Sequence, residues 1–159
     1  MSMYQRILVP IDGSETSLAG LREAIRMARF THGRLRLVHV VDKLAYAPGI
    51  DLYPDAGRRW LDALYADGAR LLEQAKADAG DAGVEVETVL HDYFAGPVHE
   101  RVVADAAEWP ADLIVLGSHG RHGAQRALQG SDAESVVRRS PVPVLLVHAP
   151  PSGAASDGD

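Results

Sequence analysis

Two short runs, "RILVPID" (Arg6 to Asp12) and "DLIVLG" (Asp112 to Gly117), are apolar on both faces. A strand without a polar face must be covered above and below, so both runs belong inside a sheet with helices on each side. Around them the chain alternates between helical and strand patterns. "DGSE" sets Asp12 and Glu15 three apart, a helix-start signature. Leu18, Leu21, Ile25 and Ala28 follow at helical spacing up to Gly33. "RLRLVHVV" (Arg34 to Val41) reads as the second strand. After a loop holding Pro48, Gly49 and Pro54, one face of a long helix carries Trp60, Leu64, Leu71 and Ala75. "VEVETVL" alternates, with Val84, Val86, Thr88 and Leu90 opposite two glutamates. A helix from about Pro97 to Glu108 carries Val98, Val102, Val103 and Ala106. The fifth strand, "VPVLLV" (Val142 to Val147), follows a short helix over Ser131 to Arg139.

Such alternation requires crossover connections and hence a parallel sheet. The runs apolar on both faces go to the centre and the acid-bearing third strand to an edge. The expected fold is α/β: an open, doubly wound, five-stranded parallel sheet of order 3-2-1-4-5, Rossmann-like, with helices on both faces. In sheets of this kind a ligand crevice lies at the outgoing ends of the strands, where the order changes direction. Here that point falls between strands one and four, at Asp12 and Gly117. The 159 residues, 47% of them hydrophobic, suit one domain over 1–149, and the Pro-, Gly- and Ser-containing stretch 150–159 reads as a disordered tail. No apolar stretch approaches the ~20 residues of a membrane helix. The N-terminal residues show no apolar signal segment, and there is no cysteine. A cytoplasmic protein is expected, without a membrane partner. The excess of 22 acids over 16 Lys and Arg argues against nucleic acid as a partner.

The segment after strand four, "GSHGRHGAQRALQGS" (Gly117 to Ser131), contains glycines, histidines and arginines but no acid. A long loop at a strand end in such a fold is usually functional or disordered. Glycines let backbone approach a ligand, successive N–H groups make anion-binding concavities, and a helix start favours phosphate. Ser131 and Glu134 form a capping box at the head of the next helix, while Arg121 and Arg126 add positive charge. This chemistry suits a nucleotide's phosphate tail, although a glycine-rich connector would share much of the composition. Neither a lysine-bearing phosphate loop nor the dinucleotide G-x-G-x-x-G is present. His119 and His122, even with His39 nearby, lack the carboxylates of a convincing metal site.

The spacing Gly117-x-x-Gly120, then nine residues, then Gly130-Ser131 resembles the G-2x-G-9x-G-[ST] ATP-binding motif of the universal stress protein family. "ILVPIDGSETS", "LVHVV" and "SPVPVLLV" extend the similarity across Tyr4 to His148. The resemblance implies the 3-2-1-4-5, adenine nucleotide alpha hydrolase-like fold. It also implies a cytoplasmic, usually dimeric protein that binds ATP and acts as a sensor or regulator in stress response. Pro10, Ile11 and Asp12 would then line the adenine and ribose side, and Val40 would pack on the adenine. Gly117, Gly120, Gly130 and Ser131 would hold ribose and phosphates under the cover of Ser118, His119, Gly120 and Arg121. One departure is Asp132, where relatives usually carry an apolar residue. Its charge would repel a triphosphate unless Mg²⁺ came between them.

A weak ATPase or self-phosphorylating enzyme is the alternative, with no base evident beside a nucleophile in the sequence. A receiver module would need a lysine ending strand five, where His148 stands. A flavin-binding module would leave the Gly117 segment unexplained. No catalytic residue is assigned. Strand five is apolar yet lies at an edge, so a homodimer through Val142 to Val147 is expected.

Overall fold

A computed structural model describes residues 3–41, 54–91, 97–118 and 130–149. Strand β1 (Arg6–Pro10) leads to α1 (Glu15–Thr31), β2 (Arg34–Val40) to α2 (Pro54–Asp81), and β3 (Glu85–His91) to α3 (Val98–Glu108). Strand β4 (Leu113–Ser118), α4 (Gly130–Arg139) and β5 (Val144–His148) complete the chain's order. All five strands run parallel in the sequence-expected order β3-β2-β1-β4-β5. Residues 150–159, expected as a tail, lie outside the described residues.

The two faces of the sheet hold separate cores. Ile7 and Val9 of β1 pack with Leu21, Ala24 and Ala28 of α1 and with Leu72, Ala75 and Ala79 of α2. Leu8, Val38, Ile114 and Leu116 point the other way, onto Val102 and Ala106 of α3 and Val136 of α4. Period-2 alternation within strands buried on both sides produces this division. All of β4 is buried.

Several boundaries differ from the sequence expectation. The residue capping α1 is Ser14, not Asp12: its side chain accepts the Ser17 N–H. Asp12 acts one step earlier, its Oδ1 accepting the backbone N–H and the hydroxyl of Ser14. Between them Gly13 adopts φ +84°, a left-handed conformation that suits glycine. In α2 the buried stripe passes through Gly68, Leu72, Ala75 and Ala79, while Leu71 is half-buried. Strand β5 starts at Val144, two residues later than expected. Val142 is held in a turn by Ser140, whose Oγ donates to the Val142 carbonyl and accepts its N–H.

The incoming ends of the two central strands are tied by one side chain. Asp112 accepts the Gln5 N–H at Oδ2 (2.8 Å) and the Arg6 N–H at Oδ1 (2.9 Å). A second polar anchor sits under β2 and β3. Asp105 on α3 is only 1% exposed. It receives His91 Nε2 at 3.0 Å and lies 3.5 Å from Arg36 Nη1. The Arg36 guanidinium also stands 5.6 Å from the ring centroid of Trp109. Among the described residues, no helix is long and apolar enough to cross a membrane.

Removing Asp105 would leave the Arg36 charge uncompensated beside an apolar core. Asp105→Ala is expected to lower unfolding free energy by about 3 kcal/mol, the lower end for a broken buried pair. Arg36 keeps some contact with water, which limits the cost. Urea titration followed by circular dichroism measures it.

Candidate functional site

Strand β1 donates its odd-numbered N–H groups toward β2, as shown by Ile11 N–H bonding to the Val38 carbonyl at 2.8 Å. The even-numbered positions therefore face β4. Pro10 occupies one of them and has no N–H to give. Consistent with this, β1 registers with β4 only at Ile7↔Leu113 and Leu8↔Ile114. On its other side it pairs with β2 through all five residues, up to Pro10↔Val38. The central strands are joined at their incoming ends and part at their outgoing ends. The sequence pointed to this place as the crevice.

Pro10, Val40 and Ser118 fall on one face of the sheet by alternation, following Leu8, Val38 and Leu116 toward α3 and α4. Pro10 and Ile11 are buried, and Asp12 and Val40 are half-buried at the rim. Gly117 closes the opposite wall against α1. A Cβ there would run into the Thr16 carbonyl, and a Cβ on Gly20 would come within 2.9 Å of the Gly117 nitrogen. The strand end and the first turns of α1 thus meet backbone to backbone. Gly130 and Ser131 both belong to α4, which starts one residue earlier than the sequence indicated. Of the other expected site residues, His119, Gly120 and Arg121 lie outside the described residues, as do His122 and Arg126.

Three histidine contacts were not legible in the sequence. His99 Nδ1 meets Asp132 Oδ1 at 3.0 Å, so α3 holds the acid at the head of α4. His39 Nδ1 donates to the Ile11 carbonyl at 2.7 Å, from the face opposite Val40. Ser118 Oγ lies 2.7 Å from His148 Nδ1. Each joins residues 28 or more apart in sequence, beyond the reach of any local pattern.

The doubly wound parallel sheet, packed with helices on both faces, defines a protein built on a Rossmann-like plan. The model of the universal stress protein family matches residues 3–148, and the chain belongs to that family. It is 33% identical to universal stress protein YxiE of Bacillus subtilis, over 91% of this chain and 99% of that one. A solved universal stress protein from Burkholderia pseudomallei shares 33% identity with a TM-score of 0.70, covering 92% of this chain and 98% of its own. Another solved member, in complex with cAMP, is 27% identical with a TM-score of 0.62, over 94% of this chain and 100% of its own.

The glycine contact yields a structural expectation. Gly117→Ala must push α1 away from β4, and overpacking of this kind typically costs ~1–3 kcal/mol. A fall in thermal midpoint relative to wild type, read by differential scanning calorimetry, is the expected result.

Proposed function

We propose that this chain is an ATP-binding universal stress protein acting as a nucleotide-dependent sensor or regulator. The observation that carries the reading is that β1 and β4 stop pairing before Pro10, with Gly117 near the end of β4 and Gly130 at the head of α4. The cAMP complex of a relative supports an adenine nucleotide as the ligand class. In this reading Pro10, Ile11, Asp12 and Val40 contact adenine and ribose. Gly117, Gly120, Gly130 and Ser131 hold ribose and phosphates, with Ser118, His119 and Arg121 around them. Backbone N–H groups at the start of α4 would supply the attraction.

Asp132 is a like charge near that phosphate site. Its bond to His99 directs one carboxylate oxygen toward α3. Mg²⁺ is the expected counterion for whatever repulsion remains.

Purified protein, denatured and analysed by chromatography, is expected to release ATP. Calorimetry with ATP, run with Mg²⁺ and with chelator, should give saturable binding that weakens when the metal is removed. Replacing Gly120 or Gly130 with a bulkier residue should abolish binding while circular dichroism stays unchanged. Unaltered affinity in both variants overturns the assignment of the phosphates to this segment.

A cytoplasmic homodimer through strand five belongs to the same reading. Strand β5 pairs with β4 on one side and forms the sheet's edge on the other. Along it Leu146 is 40% exposed, and Val137 of α4 is 46% exposed. Exposed apolar side chains on an unpaired edge suit strand addition across a twofold axis. Light scattering at micromolar concentration should give the dimer mass, and Leu146→Lys should shift it toward monomer. A monomer mass for wild type rules the dimer out.

A further inference from the structure

His91 is the register partner of Val40, and the two stand at the outgoing ends of β3 and β2. Alternation turns both side chains to the α3 face, after Val89 and Val38. Neighbouring strands are ~4.8 Å apart, so these two side chains leave the sheet side by side. The order β3-β2-β1-β4 then sets a series of positions across the sheet. With ribose at Asp12, past the end of β1, and the base over Val40 on β2, the purine edge farthest from the sugar points to β3. His91 is the residue it meets there.

The surroundings of His91 fix which ring nitrogen carries a proton. Its Nε2 stands 3.0 Å from Asp105 Oδ2, and a carboxylate can only accept. Nε2 therefore holds the hydrogen, and in the neutral ring Nδ1 is left as an acceptor. Asp105 is itself oriented, because its other oxygen lies 3.5 Å from the Arg36 guanidinium, which can only donate. Asp105 is buried, whereas the His91 side chain is 18% exposed, so the ring can be reached by a ligand lying on Val40.

We propose that His91 reads the base of the bound nucleotide, its Nδ1 accepting the 6-amino group of adenine, with Asp105 as the positioning residue that sets the tautomer. This rests on the ATP-binding reading above and deepens it. A 6-oxo purine would bring an acceptor against Nδ1 and leave both groups without a donor, which penalises hypoxanthine and guanine. The selection acts at the base end and draws on no residue that follows β4.

The test measures calorimetric affinity for Mg-ATP and Mg-ITP, whose bases differ in carrying a 6-amino or a 6-oxo group. Wild type should favour ATP by at least ~10-fold, the order expected when a desolvated acceptor loses its donor. His91→Leu removes the acceptor and should bring the two affinities together, chiefly by weakening ATP. Asp105→Asn gives a second readout. Arg36 retains the amide oxygen, so the amide nitrogen faces Nε2 and drives the proton to Nδ1, as the same exchange in a catalytic triad imposes the wrong tautomer. Preference should then shift toward ITP. Lost packing does not produce such a shift, because the ratio compares two ligands on one protein. Equal affinities of wild type for ATP and ITP, or a preference for ITP, overturn the proposal and leave nucleotide binding intact. Binding of neither overturns both readings. A His91→Leu ratio equal to wild type also overturns it, as does an unchanged preference in folded Asp105→Asn. His91→Leu, on an edge strand, keeps the test decisive even where Asp105→Asn does not fold.

Discussion

Asp112 and Pro10 act on the same pair of strands from opposite ends. The Asp112 carboxylate takes two backbone N–H groups at the start of β1 and so fixes β1 against the incoming end of β4. Charge-assisted bonds of this sort are stronger than ordinary backbone pairs. Four residues further on, Pro10 withholds a donor from the same neighbour. The centre of the sheet is therefore closed at one end and open at the other. The apolar character of both strands keeps them buried despite the lost ladder bond, because helices cover them on each side.

Polar chemistry is distributed unevenly across this frame. The α1/α2 face is packed mainly with aliphatic side chains. The α3/α4 face carries His91 with Asp105 and Arg36, His99 with Asp132, and Ser118 with His148. Each of these contacts joins two different elements. Desolvating such groups is costly unless they are paired, so the pairs constrain how α3, α4 and β5 can sit. The face that carries these three histidine–partner pairs is also the one onto which Pro10, Val40 and Ser118 turn, while His39 bonds the Ile11 carbonyl from the other.

Much of the architecture was readable because it follows from local pattern. The runs around Leu8 and Val115 needed cover on both sides, and the acids of "VEVETVL" required an edge. Boundaries were read less well wherever a side chain competed for the backbone. Ser14 took the cap assigned to Asp12, and Ser140 drew Val142 out of β5. At the candidate site, the sequence located where the central strands end to within two residues, β1 stopping at Pro10 rather than Asp12 and β4 at Ser118 rather than Gly117. The histidine contacts escaped detection because they depend on register and on the packing of α3 against α4. The contact between Ser118 and His148 has the same origin, since the two residues become neighbours only once β4 and β5 are aligned.

The backbone contact between Gly117 and the start of α1 has a consequence for how this sequence can change. Thr16, Gly20 and Gly117 meet with no space for even one added methyl group on either glycine. Positions 20 and 117 therefore behave as a single heritable unit, although 97 residues of sequence separate them (117 − 20). A combinatorial library that varies one alone will return glycine as the most stable choice there. Any lineage that abandons one must shift the start of the first helix, and with it the cap and the Asp12 turn.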